Sequence, residues 1–281
     1  MGGLRSPLRR GGASPLDVAT ILGVPALLLG VASLPRPVRL SFTLSYVEPT
    51  VVTMYTSHFV HLGSGHLLTN IAVYLTVVPL AWFVSVRSGH RGRFFVTFLT
   101  VLVAFPFALS AMNVLLTRPR IGFGFSGLNM AFLGFLPHAL AGYFDDTVPG
   151  ANLSRSPLPF FMGATVITFR AVPPGVESLL VGAANLVVVG LCVHSLLGSR
   201  TVPLGHVRAD GGRERDPLPV LALGTCVFVL LQFAAFPNVV TGDGTVLNLF
   251  LHLLGYCFGY IVPYVTFQIA PRKMDISSPA T

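Results

Sequence analysis

The amino-acid sequence predicts an all-α fold, a polytopic membrane bundle of about eight transmembrane helices. Composition is the first reason. Of 281 residues, 53% are hydrophobic and only 10% charged, at a mean hydropathy of +0.75, where soluble domains carry about 25% charge. Segmentation is the second. Charge-free stretches at 18–35, 49–86, 94–117, 121–144, 178–199, 218–242 and 244–271 recur along the chain, and a span needs roughly 20 apolar residues at about 1.5 Å each. Charge placement is the third: the net charge is +8, and most arginines fall in alternate loops, as the positive-inside rule asks of cytoplasmic segments. The basicity is therefore topogenic, and no nucleic-acid partner is expected.

Taken in order, 1–16 reads as a basic cytoplasmic tail with no convincing cleavage site before a first span at 17–34. The stretch from 35 to 65 starts too polar to span, and its apolar patch suits the membrane surface. Spans follow at 66–86, 94–116 and 124–143, separated by breakers such as "RSGHRGR" and "DDTVPGANLSRS". The candidate at 157–173 is weaker, because Arg170 must snorkel to the interface. Further spans read at 177–198, 218–237 and 246–269, with the polar loop 198–217 among them and a cytoplasmic tail at 271–281. Cys192, Cys226 and Cys257 each sit inside an apolar segment, so they give neither a disulfide framework nor metal-ligand spacing. No internal repeat is visible, which argues against an inverted-repeat transporter.

Polar residues inside apolar segments carry the functional signal. In "HFVHLGSGHLLTNIAVY", His66 and Asn70 share one helix face, with His61 just ahead of the helix; interhelical hydrogen bonding is the plainer alternative. In "IGFGFSGLNMAFLGF", Gly122, Gly124 and Gly127 bracket Ser126. Glycines allow a sharp turn and close backbone approach. A serine at a helix start also lies beside free N–H groups and the positive end of the dipole. Those are the needs of a nucleophile whose own N–H helps hold an oxyanion, although a simple N-cap serine looks the same. In "NLFLHLLGYCFGY", His252 precedes Gly255 and Gly259, a small-xxx-small packing face. Together these supply a nucleophile, a general base and oxyanion donors.

In this order, His61 and His66 with Asn70, then Gly124-Phe125-Ser126-Gly127, then His252 with Gly255 and Gly259, the sequence resembles the rhomboid family of intramembrane serine proteases. The likeness covers roughly residues 50–143 and 245–269. It implies a rhomboid-like core of six helices within a transmembrane domain at 17–270, with an inserted region at about 144–245. By the resemblance, Ser126 attacks the scissile carbonyl and His252 carries its proton. Asn70, His66 and the Ser126 N–H hold the oxyanion, and Gly127 and Gly255 let the two helices meet. The partners implied are transmembrane protein substrates and the lipid bilayer, and no cofactor or metal is called for. The expected location is a prokaryotic cell membrane, multi-pass, with both termini cytoplasmic; no oligomeric state follows.

Two departures stand out. The family usually has a tyrosine one turn after the serine, against the imidazole, and here Met130 stands there; Asn248, one turn before His252, is a candidate to compensate. The family also has one span between the serine and histidine helices, whereas three candidates lie between Ser126 and His252. An odd number keeps both residues on one membrane side, so 157–173 must cross or lose a partner. These departures leave open an inactive relative that binds and regulates membrane proteins. A histidine-based metal carrier lacks the carboxylates or thiolates that would complete its site.

Overall fold

The computed structural model describes residues 13–115, 121–148, 151, 153–171, 175–198, 218–235 and 248–269. The tails at 1–12 and 270–281, the loop 199–217 and the side chain of Arg170 lie outside the described residues. The helices are α1 (Pro15–Ala32), α2 (Arg36–Ser41), α3 (Val51–Thr56), α4 (Ser64–Arg87), α5 (Arg91–Val103), α6 (Phe105–Val114), α7 (Ser126–Thr147), α8 (Leu158–Ala171), α9 (Val176–Gly198), α10 (Leu218–Ala235) and α11 (Leu249–Tyr264). The two-residue strands β1 (Leu44–Ser45) and β2 (Ile121–Gly122) pair antiparallel, Leu44 with Gly122 and Ser45 with Ile121. Among the described residues the fold is all-α apart from that pair.

Among the described residues four helices, α1, α4, α10 and α11 with its extension to Phe267, are long and apolar enough to cross a membrane. A fifth span results if α5 and α6 are one crossing bent by 42°. The bend falls inside the span that the sequence suggests at 94–116. Pro106, in the first turn of α6, has no N–H to continue the helical ladder. The long apolar run at 49–86 likewise divides, into the short α3, a turn at Ser57–Phe59, and α4. Over its described side chains α8 and α9 are apolar but shorter than a full span.

α7 is the axis of the bundle. Every residue from Gly127 to Ala141 is buried, with α4, α5, α6, α8, α10 and α11 packed around it. At 22 residues it is long enough to span, yet it is less apolar than the four helices above, because protein rather than lipid surrounds it. Against it, α11 packs backbone to backbone. A Cβ on Gly255 would strike the Gly127 carbonyl, one on Gly259 the Ala131 carbonyl, and one on Gly134 the Tyr256 carbonyl. The first two contacts advance by four residues along both helices in the same direction, so α7 and α11 run parallel and start at the same end of the bundle.

Helix α8 joins this centre through Tyr256, whose hydroxyl donates to the Phe160 carbonyl at 3.1 Å, and α9 packs on the outside of α8. At the opposite end from Ser126, buried Asp17 of α1 accepts hydrogen bonds from Trp82 Nε1 at 3.1 Å and Arg91 Nε at 2.8 Å, tying the first helix to α4 and α5.

Candidate active site

The turn before α7 is held from three sides. β2 is paired to β1. The Gly124 N–H donates to the Ser57 carbonyl at 2.9 Å, and the Phe125 N–H donates to His61 Nε2 at 3.3 Å. Gly124 has φ +109°, a conformation that L side chains avoid. A Cβ there would also lie 2.6 Å from Cε1 of His66. The glycine is thus required twice, by its backbone and by the imidazole lying on it. The chain then enters α7 at Ser126, which is partly exposed while Phe125 and Gly127 on either side are buried. As the first residue of the helix, Ser126 stands among the N–H groups that have no partner within the helix.

His252 lies in the first turn of α11, buried, with its N–H bonded to the Asn248 carbonyl at 3.1 Å. Gly127, next to Ser126, faces Leu251, next to His252, at 3.0 Å from a Cβ position. Ser126 and His252 therefore sit at the same end of two parallel helices in backbone contact. The His252 Nδ1 is 2.9 Å from the carbonyl oxygen of Ala235, the last residue of α10. A carbonyl only accepts, so Nδ1 must carry the proton, and the lone pair of the neutral ring is on Nε2.

His66 is half-buried, its ring 5.0 Å from that of His61 and 5.9 Å from that of Phe123, and within electrostatic reach of His252. Asn70, one turn along α4, is buried, and its Nδ2 donates to the His66 carbonyl at 2.8 Å. Asn129 of α7 fixes that amide by donating to both the Asn70 carbonyl at 2.9 Å and the Asn70 Oδ1 at 3.0 Å. Outside the spans, burial pushes His61 down to about 4, helped by the charge of His66. His58, whose Nε2 lies 3.1 Å from the Pro106 carbonyl and 3.0 Å from Ser110 Oγ, is likewise pushed down to about 4 by burial.

Several of these groups escape a sequence reading. The Ala235 carbonyl is main chain and leaves no trace in residue type. It also shows that the end of α10 reaches the imidazole. Asn129 was readable as a polar residue three positions after Ser126 inside a span. The Asn248 side chain has two hydrogen-bond partners of its own. It caps α11, accepting from the Leu251 N–H at 3.1 Å, and donates to Asn113 Oδ1 at 3.0 Å. Met130, in the place considered for an aromatic partner of His252, has its Cβ 3.2 Å from where a Gly255 Cβ would stand. Among the described residues no group of three or more His, Cys, Asp or Glu is placed to hold a metal ion.

Fold and site define a helical protein of membrane type, with serine, histidine and asparagine gathered at one end of its central helices. No family model, curated protein or solved structure matches the chain.

Proposed function

We propose that the protein is a rhomboid-type intramembrane serine protease that cuts transmembrane or membrane-proximal segments of other membrane proteins. One observation carries the reading: the Ala235 carbonyl at 2.9 Å from His252 Nδ1 leaves Nε2 as the basic nitrogen on a helix in backbone contact with that of Ser126. Ser126 Oγ attacks the scissile carbonyl as its proton passes to Nε2, and the tetrahedral oxygen takes the negative charge. The Ser126 N–H, His66 and the Asn70 amide hydrogen not given to the His66 carbonyl stabilise that charge. Collapse breaks the C–N bond, and Nε2 returns the proton to the leaving amine. Water then attacks the acyl-serine by the same route, releasing the acid and restoring Ser126. No acid need stand behind the imidazole, because the carbonyl already holds the tautomer.

The reading takes the chain as a bundle of about eight crossings, with α8, α9 and α10 as the three between the serine and histidine helices. Three is odd, as parallel α7 and α11 require. Both termini then face the cytoplasm by the positive-inside rule, and the site faces the other side. Met130 favours a second reading, an inactive relative that binds and regulates membrane proteins, because a thioether restrains an imidazole less firmly than an aromatic ring would.

Reconstitution with a panel of single-span reporter proteins tests the proposal. The wild type should release a fragment, and Ser126→Ala and His252→Ala, inserted and folded, should release none. Fragment release by either variant at the wild-type rate would defeat the assignment.

A further inference from the structure

Helix α10 buries three residues, Gly224, Phe228 and Gln232. They are four apart and so form one stripe along the helix. The stripe's neighbours fix its register. Gly224 lies against Leu140 of α7, and Phe228 lies against the Gly163 position and 6.3 Å, centroid to centroid, from Tyr256 of α11. At the far end, the Ala235 carbonyl meets His252. Gln232 is one turn beyond Phe228 and three residues, about 4.5 Å of rise, short of Ala235. Its side chain is 0% exposed. Because α10 packs on α7, α8 and α4, a fully buried residue at that height lies among protein helices, less than one turn from the contact with His252.

Neither Gln232 Nε2 nor Oε1 has a hydrogen-bond partner among the described residues. Asn129 Oδ1, on the residue that holds Asn70, likewise has no hydrogen-bond partner among the described residues. Buried polar groups nearly always find partners, and one that does not calls for a ligand or a water. Packing gives no reason for an amide here, since the other buried members of the stripe are a glycine and a phenylalanine.

We propose that Gln232 is a substrate-binding residue, whose carboxamide receives the main chain of a membrane-protein segment unwound beside the scissile bond. Oε1 accepts one peptide N–H, and Nε2 donates to one peptide C=O. The inference rests on the protease reading above. A peptide that leaves its helix within a membrane exposes donors and acceptors that lipid cannot satisfy. A protein that unwinds such a segment must offer replacements, and they must be unemployed beforehand. Gln232 is unemployed, carries both kinds of group, and stands within a turn of the residue that fixes His252. It is fully buried on a helix that packs against α7, α8 and α4, so a bound segment parts the side chains there to reach it. The specificity that follows is for main chain rather than for a particular side chain, hence for segments that give up helical structure easily.

The test uses Gln232→Leu and Gln232→Met in the full chain, with three measurements on each. Thermal unfolding should be unchanged or raised, because an unpartnered buried amide has been removed. Labelling of Ser126 by a small fluorophosphonate, which has no peptide main chain to hold, should stay within about twofold of wild type. Cleavage of a transmembrane reporter should fall about tenfold or more in kcat/KM, the scale of one lost hydrogen bond to a buried partner. Unchanged cleavage in both variants would overturn the inference while leaving the dyad intact. A lowered unfolding temperature in both would overturn it too, by showing that the amide has a structural partner. Failure of the folded wild type to label at all would remove the protease reading itself, and this inference with it.

Discussion

Helices α7 and α10 invert the relation between hydrophobicity and depth that holds in soluble proteins. α10 is the most apolar of the span candidates and the least enclosed, with 17% of its spanning window buried and Leu218, Leu223, Leu230 and Phe233 facing outward. α7 carries Ser126, Asn129 and His138 and is buried along most of its length. Lipid accepts any apolar side chain, so α10 needs only a narrow face for protein. α7 has no lipid to face, and its positions are set by neighbours at backbone range. Polar chemistry collects where a helix is surrounded by protein, because only there can other chain segments supply hydrogen bonds.

The largest effect expected from this contrast is at the α7–α11 seam. Gly259→Leu places a side chain in the Ala131 backbone and should destabilise by about 3 kcal/mol or more, read as loss of folded protein in detergent. Next is Asn129→Leu, which removes two hydrogen bonds to Asn70. It should cost about 1–3 kcal/mol and lower kcat more than it raises KM, since Asn70 would lose its hold while substrate contacts remain. An unchanged kcat would separate Asn129 from the site. Gly124→Ala, at φ +109° and against His66, should cost about 1–2 kcal/mol and reduce Ser126 reactivity by displacing the turn.

Acid should act on the loop beneath that turn. His58 and His61 have folded values near 4, set first by burial, against about 6.5 when unfolded. A depressed folded value means that the neutral ring's contribution is complete above 6.5 and is lost progressively as pH falls from 6.5 to 4. By pH 5.5 the loss should be about 1 kcal/mol per histidine, read as a falling unfolding temperature that His58→Gln and His61→Gln flatten. The smallest effect is on the outside. Gly190 of α9 has nothing within 4 Å of a Cβ position, and Gly190→Ala should leave stability within about 0.5 kcal/mol or raise it slightly through helix propensity.

The contrast also explains what was legible in the sequence. Helices facing lipid announce themselves by long apolar runs, so the spans around α1, α4, α10 and α11 were readable to within a few residues. α7 was found through its start, Gly124 to Gly127, where glycine and serine type carry the geometry. The glycines of α11 predicted a close-packing face, and the face is there. The break at Ala104 was not foreseen, although Pro106 marked it, because length and hydropathy do not register a bend. Contacts made by main chain were beyond reach: the Ala235 carbonyl could have been any residue's. Gln232 stood in plain view in an apolar span, but only packing reveals that no described residue answers it.

In the protease proposed above, Ser126 is activated by His252 inside the bundle. The most direct measurement incubates purified wild type, Ser126→Ala and His252→Ala with a fluorophosphonate probe in mild detergent, with unfolding curves confirming that each is folded. Labelling of the wild type alone is the predicted result, since the probe needs both the nucleophile and the base. Equal labelling of His252→Ala, or a folded wild type that never labels, would contradict the account.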